Sequence, residues 1–463
     1  MAFQPIILWT DGVIFGLVFM MGLAIRQIRR DPQLMTAWAN VFARPTGFST
    51  FVILAFFGLV GLADSVHYRP ALPAESGVPT QYSGEVLSVL DAALAPLRQN
   101  TEKTYSAPLA TRLFSKETVE LEGGGQGRVF PRLTFGGAHL QSEEQRLPDL
   151  LTRLGAGTLA GLALAALLWV AVMRLARKAT TASTSRPTEA ASQGPAWKAG
   201  LITIGALLLM TAVIGSLATG YHVFGTDKVG QDVLYLTIKS VRTALVIGTL
   251  TTLVMMPFAV ALGVLAGYLG GWVDDAIQYL YTVLNSIPGV LLIAAAVLMM
   301  QVLIDTHPEW FSTAAERADA RLLALCVILG VTSWTGLCRL LRGETLKLRE
   351  LEYVQAARAF GVGTATILRR HVLPNVMHIV VISLVMDFSG LVLAEAVLSY
   401  VGIGVDPNTI SFGTMINAAR MELARDPMVW WSLVAAFVVM FVLVLAANLF
   451  ADVVRDVFDP RRA

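Results

Sequence analysis

Long apolar runs alternate with short polar stretches along most of the chain, and this alternation determines the expected architecture. A helix needs about 20 mainly apolar residues to cross a bilayer, and nine runs in this sequence come near or exceed that length. The pattern therefore predicts an all-α polytopic membrane protein. The nine predicted spans cover approximately residues 6–25, 48–66, 154–175, 199–220, 241–268, 278–304, 321–341, 376–400 and 430–451.

Two polar segments interrupt this pattern. Residues 67–152 mix proline, glycine, charged residues and short apolar runs, and they include the stretch GGGQG at 123–127. A small extracytoplasmic domain, a partly ordered cap and an insertion without a binding role are all compatible with that mixture. Residues 177–198 are mainly small and polar, which predicts a flexible linker. The expected units are 1–66, 67–152, 153–220 and 221–463.

Composition supports a membrane protein and excludes other classes. Of the 463 residues, 55% are hydrophobic and only 15% are charged, with a mean hydropathy of +0.63. A soluble domain carries more charge than this. The net charge of +2 gives no support for nucleic-acid binding. Cys326 and Cys338 are twelve residues apart in one apolar run, about 18 Å on a helix, which is too far for a disulfide.

The arginines predict the orientation. Because loops rich in Lys and Arg stay in the cytoplasm, the loop after the first span is cytoplasmic and the N-terminus lies outside. Alternation then places 67–152 outside, and it places 176–198, 342–375 and the tail from Asp452 inside. This assignment rests on Arg26, Arg29, Arg30, Arg44, Arg455, Arg461 and Arg462.

The stretch FGTDKVGQDVL, residues 224–234, precedes a long span. Gly225 and Gly230 permit tight turns. Thr226 lies between Gly225 and Asp227. Asp227 and Asp232 have side chains that can cap helix starts. The interpretation favoured by the spacing is a capped return of the chain into the membrane.

A second stretch, GGWVDDAIQYLYTVLNSIPGV, begins at Gly270. Gly270 and Gly271 are expected to end one span, and Asp274 and Asp275 fall in the first turn of the next, where the helix dipole favours negative charge. Pro288 then falls inside an apolar helix. A proline there breaks one backbone hydrogen bond, so the sequence predicts a structural kink or a functional hinge.

The third stretch is the most polar of the long loops: EYVQAARAFGVGTATILRRHVLPN, residues 352–375. Small residues among good helix formers predict a helix, Gly361 permits a turn, and a second short helix is expected before Pro374 ends the segment. An amphipathic helix lying at the membrane surface and a helix–turn–helix element that docks on a partner both fit this pattern.

Ionisable residues inside the spans are further candidates for function, since burying a carboxylate in a membrane is costly. Asp387 and Glu395 lie eight residues apart and hence on roughly one helix face. They could line a translocation path, or bond a neighbouring helix, or, for Glu395, lie at the outer interface. Asp11 is near the outer end of the first span and is expected to be interfacial.

In order along the chain, these stretches resemble the inner-membrane permease subunits of binding-protein-dependent ABC importers of the dipeptide, oligopeptide and nickel type. LSYVGIGVDPNTISFGTMI at 398–416, DPMVWW at 426–431 and NLFADVVRDVFDPR at 448–461 extend the match. Together they cover residues 224–461, about half of the chain. The resemblance implies a type I ABC importer transmembrane domain, here with extra N-terminal helices and an extracytoplasmic insertion, in a bacterial inner membrane.

The resemblance also implies how such a subunit is driven. The loop 342–375 would be the coupling element that docks on an ATP-binding subunit, and ATP and Mg would bind in that partner. This chain contains no Gly-Lys pair and so no phosphate-binding loop of that kind. A second permease, one or two ATP-binding subunits, an extracytoplasmic solute-binding protein and lipid are the implied partners. The implied docking positions are Gln355, Ala356, Ala357, Arg358, Gly361, Leu373 and Pro374.

The sequence departs from the family pattern in two ways. The family commonly has an acidic residue at the position of Gln355, an arginine at that of Gln231 and an aspartate at that of Asn285. The first half is also longer than usual. Either 48–66 is the first core helix, with 154–175 and 199–220 as an inserted hairpin, or 199–220 is the first core helix and all before it is an appendage.

Three functional classes compete for a polytopic membrane protein with this pattern. An importer permease accounts for the docking loop, whereas a stand-alone secondary transporter or channel does not. A membrane enzyme has no support from an HExxH or GxSxG motif. Within the first class, peptides, nickel chelates and peptide-like antibiotics are alternative solutes, with peptides or peptide-like solutes preferred.

Overall fold

The structure is a computed structural model that describes residues 3–72, 81–120, 126–182, 196–311 and 313–458. The strands in these ranges are β1 Phe3–Ile6, β2 His67–Pro70, β3 Leu87–Ser88, β4 Glu117–Glu120 and β5 Gln126–Val129. The helices are α1 Trp9–Ile28, α2 Pro32–Ala43, α3 Pro45–Asp64, α4 Val89–Ala93, α5 Ala95–Gln99, α6 Arg146–Ala182, α7 Ala196–Ala218, α8 Val233–Leu269, α9 Gly271–Ser286, α10 Gly289–Thr306, α11 Ala314–Ser333, α12 Thr335–Arg349, α13 Glu352–Ala359, α14 Thr364–Ile367, α15 Leu373–Val401, α16 Phe412–Glu422 and α17 Trp431–Phe458.

Nine helical stretches within the described ranges are long and apolar enough to cross a membrane, which confirms the predicted number of spans. The linker predicted at 177–198 is shorter than expected, because α6 continues to Ala182 and α7 already begins at Ala196. Residues 183–195 lie outside the described ranges. So do 123–125 of the GGGQG stretch, whose last two residues belong to β5.

Pro288 does not lie inside a helix, contrary to the prediction. The apolar run divides into α9 and α10, and Ile287 between them is extended, with φ −90° and ψ 131°. A residue before proline is pushed out of the helical region by the proline ring. Pro288 instead caps α10, and its carbonyl accepts hydrogen bonds from the Leu291 and Leu292 amides at 2.9 and 3.1 Å.

Helix α8 is the longest element of the core and passes through its centre. Its 37 residues extend about 55 Å at 1.5 Å per residue, and it packs against α3, α11, α12 and α15. Glycines allow the closest approaches. A Cβ at Gly263 would lie 2.7 Å from the Cys338 carbonyl oxygen, and one at Gly267 would lie 2.7 Å from that of Arg342.

The two ends of α8 carry different structures. The end of the molecule at the first residue of α8 is called the sheet end. It contains the antiparallel sheet of β1, β2 and β3 and the separate antiparallel pair of β4 and β5. At the last residue of α8 lies the α13 end, where the Arg349 guanidinium reaches the Tyr268 carbonyl at 3.5 Å. Residues 67–72, residues 81–109 and the N-terminal strand therefore share one end, opposite to α13, as the predicted alternation requires. Which end faces the cytoplasm stays a prediction.

The first half of the chain attaches to the core through α3. This helix packs directly against α8 and α17, whereas α7 packs on α3 and α6. Gly200 of α7 faces the Phe48 ring of α3 so closely that a Cβ there would lie 1.8 Å from it. Ile214 and Ala218 of α7 also pack against the core cluster, so the choice between 48–66 and 199–220 as the first core helix stays a prediction.

The turn at 224–234 has the structural role that its spacing favoured. Asp232 caps α8, accepting a hydrogen bond from the Leu234 amide at 2.8 Å. Asp227 caps no helix, contrary to expectation. Its carboxylate instead closes a tight turn by accepting from the Val229 and Gln231 amides at 3.0 and 2.8 Å.

Glycine is required at both turn positions. Gly225 and Gly230 have φ of 75° and 76°, which disfavours other residues. A Cβ at Gly230 would also lie 1.8 Å from the Glu102 carbonyl oxygen. Thr226 completes the contact by donating to the Thr104 carbonyl at 2.9 Å.

A buried histidine joins this turn to the 67–152 segment. His222 Nδ1 lies 2.7 Å from an Asp232 oxygen, and its Nε2 lies 3.5 Å from Glu102. Burial alone would lower the pKa of His222, but the two carboxylates outweigh it and raise the pKa to about 9. Burial likewise opposes ionisation of Glu102, yet His222 and the amides of Thr134 and Phe135 lower its pKa to about 2.

The contacts of His222 with Asp232 and Glu102 make the free energy of unfolding depend on pH. Because the folded pKa of His222 is raised from 6.5 to about 9, its contribution is full below pH 6.5 and is lost as pH rises through 9. We expect the melting temperature of the full chain in nanodiscs to fall by several degrees over that range, and to fall less in His222→Gln. His307→Gln is the control, since His307 bonds Leu303 and Thr306 rather than a carboxylate. Identical pH profiles of wild type and His222→Gln would contradict the assignment.

The contact between α8 and α12 gives a second prediction. Gly267→Val places a side chain against Thr345 and the Arg342 carbonyl, and overpacking of this kind costs about 1–3 kcal/mol. Gly336→Val is the matched control, because a Cβ there meets nothing within 4 Å. Thermal unfolding in nanodiscs should show a lower melting temperature for the first variant only. Equal melting temperatures would mean that the two helices do not depend on this approach.

Candidate functional site

The turn after α13 shapes the candidate docking element. α13 begins after the extended Leu351 and ends at Ala359, with Phe360 as its C-cap. Gly361 follows with φ 79°, and the Val362 amide bonds back to the Ala357 carbonyl at 3.1 Å. A helix end of this form needs a left-handed residue, which glycine adopts at little cost. Gly361 therefore has the turn role that the sequence predicted.

One side of α13 is anchored in the core. Val354 is 2% exposed and packs in a cluster with Leu341 of α12, Ile367 of α14 and Val376 of α15. The Tyr353 hydroxyl accepts a hydrogen bond from the Asn375 side chain at 3.1 Å. α13 is thereby packed against the ends of α12 and α15.

The opposite side of α13 is exposed. Gln355, Ala356 and Arg358 are exposed, and Ala357 is half-buried. Phe360 at the tip is 88% exposed, a position at which an aromatic side chain is ready to enter a pocket of a partner. Sequence analysis missed Phe360. The available signal was an aromatic residue directly before a turn glycine in a polar loop.

A cleft of about 610 Å³ lies beside this face, between α13 and the end of α8. Gln355 is at its wall and donates to the Glu350 carbonyl and carboxylate at 3.2 and 3.3 Å. An acidic side chain at this position would lie against the Glu350 carboxylate. Glutamine therefore avoids repulsion between like charges. The cleft is lined by Tyr268, Leu269, Arg349, Glu350, Val354, Gln355, Arg358 and Ala359.

Pro374 does not end the segment, contrary to the prediction. After α14 the backbone forms a π-helical turn, Leu368–Val372, and continues into α15. The proline is the second residue of α15, where a missing amide hydrogen is tolerated. Leu373 is half-buried against the same core cluster as Val354, and Pro374 is exposed.

The helix that leads into α13 is braced on its other side. Arg342 of α12 forms a two-pronged ion pair with Asp274 of α9, at 2.5 and 2.7 Å. The Thr335 hydroxyl of α12 donates to Asn285 of α9 at 3.1 Å. Asn285, which stands where the family commonly has an aspartate, thus joins α9 to α12 by a hydrogen bond between neutral groups. α12 is thus bonded to α9 on one side and leads into α13 on the other.

The membrane carboxylates occupy different settings. Glu395 is fully buried and accepts hydrogen bonds from Ser399 and Ser411 at 2.7 and 2.9 Å, which corresponds to the predicted alternative of structural bonding. Asp387 is half-buried, and within the described ranges it has no hydrogen bond or ion pair. A role of Asp387, Glu395 or Pro288 in lining a path stays a prediction.

Asp11 is buried within the protein, and its expected position at the membrane interface stays a prediction. It is 0% exposed, and its carboxylate bonds Arg242 at 2.6 Å and His67 at 2.7 Å. The neighbouring Thr10 bonds Asp319 of α11. Asp11 is buried because its partners, His67 and Arg242, come from positions more than 50 residues away in the sequence. Nothing in the local pattern identified these partners.

Comparison with known proteins places the second half of the chain. The model of the family "Binding-protein-dependent transport system inner membrane component" matches residues 259–463. The oligopeptide transport system permease protein OppC of Mycobacterium bovis is 31% identical over 239 residues, 52% of this chain and 76% of that protein. The glutathione transport system permease protein GsiD of Pectobacterium atrosepticum is 32% identical over 240 residues, 52% of this chain and 73% of that protein.

Two further similarities are partial. The dipeptide transport system permease protein DppC of Lactococcus lactis subsp. cremoris is 30% identical over 52% of this chain, and the match spans 64% of that protein, less than two thirds. A solved structure of the MetNI methionine ABC transporter in inward facing conformations has a TM-score of 0.35 and 18% identity. That superposition covers 48% of this chain and 97% of the other.

The matches to OppC, to GsiD and to the family model confirm the resemblance found in the ordered motifs. Identity of 31% extends over three quarters of a relative, 76% of its length, and the family model covers the region that contains α13. The chain belongs to the family of binding-protein-dependent transport system inner membrane components, the permease subunits of ABC importers.

Proposed function

We propose that this chain is the permease subunit of an ATP-driven importer of peptides or peptide-like solutes. Relatives named for dipeptide, oligopeptide and glutathione transport support the solute class. The observation that carries the mechanism is α13, a short helix with an anchored face and an exposed face that ends in Phe360, 88% exposed.

The proposed partners follow from this role. Separate ATP-binding subunits would bind ATP and Mg and dock on α13, and a second related permease would complete the membrane channel. A solute-binding protein would deliver the solute at the sheet end. We infer that the α13 end is cytoplasmic, that the N-terminus lies outside, and that lipid of the bacterial inner membrane surrounds the apolar helices.

The rigidity of α13 explains how a push could be transmitted. Closure of two ATP-binding subunits would displace α13, and the buried Val354 would carry the displacement to α12 and α15. α12 is tied to α9 by the Arg342–Asp274 pair and to α8 by close backbone approach. Interfaces packed this tightly move between discrete arrangements rather than deform, which is the requirement for alternating access.

Phe360→Ala tests the docking face. Exposed aromatic anchors that become buried in an interface contribute roughly 2 kcal/mol or more, so we expect the ATP-binding subunits to bind at least tenfold more weakly. Phe437→Ala is the matched control, because this phenylalanine is 55% exposed on the membrane helix α17. Affinity is measured between the permease in nanodiscs and purified ATP-binding subunits. Unchanged affinity in Phe360→Ala would contradict docking at this tip.

Gly361→Val tests the turn. Valine is strongly disfavoured at φ 79°, so the direction of α13 should change and peptide-stimulated ATPase activity of the complex should fall several-fold. Gly363→Val is the control, since Gly363 has φ −63° and ψ 144°, where valine is comfortable, and open space around it. The coupling role would be refuted by full activity in Gly361→Val with the ATP-binding subunits still bound.

A further inference from the structure

We propose that a charged cavity at the sheet end binds the ammonium group of the solute before the solute crosses the membrane. This inference rests on the proposed transport of peptides. The cavity has a volume of about 240 Å³. Its polar lining comes from both halves of the chain, with Asp64, His67, Lys239, Arg242, Asp319, Asn408 and Thr409 among the lining residues.

The charges around the cavity do not balance. Lys239 bonds Asp91 at 2.5 and 2.6 Å and lies 3.4 Å from Asp64. Arg242 bonds Asp11 at 2.6 Å and lies 3.8 Å from Asp319. Four carboxylates thus surround two permanently charged cations. Aspartates therefore outnumber the lysine and arginine side chains of this network by two.

The excess of aspartates over lysine and arginine favours a ligand with a positive charge. Carboxylates that are nearly buried stabilise a cation strongly, because little water screens them, and Asp64 and Asp319 have side chains only 4% and 3% exposed. A primary ammonium also offers three hydrogen-bond donors, which suits a site rich in acceptor oxygens.

Acceptor atoms are available in the cavity. The contacts of Asp64 with Ser88 at 2.6 Å and Lys239 at 3.4 Å both reach Oδ1, so within the described ranges Oδ2 remains free to accept. The Thr409 hydroxyl is buried and has no partner in the same part of the chain. Buried polar atoms are nearly always bonded. These two groups therefore mark the place where a donor of the ligand fits.

The size of the cavity limits what enters. At roughly 30 Å³ per water molecule, a volume of about 240 Å³ holds one small amino-acid residue rather than a whole peptide. The site would therefore bind the N-terminal residue, with the remainder of the solute outside. Asp64 and His67 precede the region matched by the family model, so the first half of the chain contributes directly to this site.

A thiol reporter at the rim tests the charge preference. Asn408→Cys puts a cysteine at an exposed lining position, while the native Cys326 and Cys338 are buried. In the full chain in nanodiscs, a cationic methanethiosulfonate should react about tenfold faster than an anionic one of similar size, since the field of the carboxylates concentrates cations. Adding Asp64→Asn should reduce that ratio. Equal rates for both reagents would overturn the proposal.

Protection by peptide tests the ligand itself. Trialanine should slow labelling of Asn408→Cys, and N-acetyl-trialanine, which has no ammonium, should not. Equal protection by the two peptides, or protection by neither, overturns the proposal. If Asp64→Asn does not fold, Thr409→Val replaces it, since this variant keeps the side-chain shape and should weaken protection by trialanine while leaving the reagent preference intact.

These measurements need neither ATP nor partner subunits. If labelling shows no charge preference and no protection while Phe360→Ala still weakens ATPase binding, the cavity assignment fails and the proposed transport function stands. If Phe360→Ala has no effect, docking at α13 fails independently of the cavity.

Discussion

The close packing of α8 against α12 is the contact on which the rest of the structure depends. Backbone touches backbone there because Gly263 and Gly267 present no side chain, and a Cβ at either would lie 2.7 Å from a carbonyl oxygen of α12. Without a hydrophobic driving force between helices in lipid, such approach provides the dispersion contacts that hold them together. α8 reaches the sheet end and α12 leads into α13. The contact therefore joins the two ends of the molecule mechanically.

At the sheet end, buried ion pairs hold the helices together. Arg242 and Lys239 on α8 are bonded by carboxylates from α1 and from the segment after α3, and His222 is held between Asp232 and Glu102. Removing one partner from a buried pair leaves an uncompensated charge, which costs about 3–5 kcal/mol. The first half of the chain is thus fixed to the permease core by specific pairs rather than by apolar contact alone, and it shapes the cavity beside them.

Sequence patterns predicted the spans, the cap at Asp232 and the turn at Gly361, because each depends on local chemistry: hydropathy over one helix length, an aspartate before a helix, a residue that tolerates positive φ. They failed where the partner is distant. Asp11 meets Arg242 far along the chain, and the bond between Gln355 and Glu350 depends on how the helices turn at Leu351. Phe360 escaped notice since exposure of an aromatic side chain is decided by the whole fold. Pro288 separates α9 from α10 because its ring pushes Ile287 out of the helical region.

The most direct measurement of the central claim, that α13 is the docking element, is a photocrosslink from Phe360. A benzoylphenylalanine at this position, 88% exposed at the tip of α13, is activated in the assembled transporter, with Phe437 on α17 as the comparison site. Docking through α13 should give covalent linkage from position 360 to an ATP-binding subunit and none from position 437. An active, assembled complex in which position 360 links to no ATP-binding subunit would contradict it.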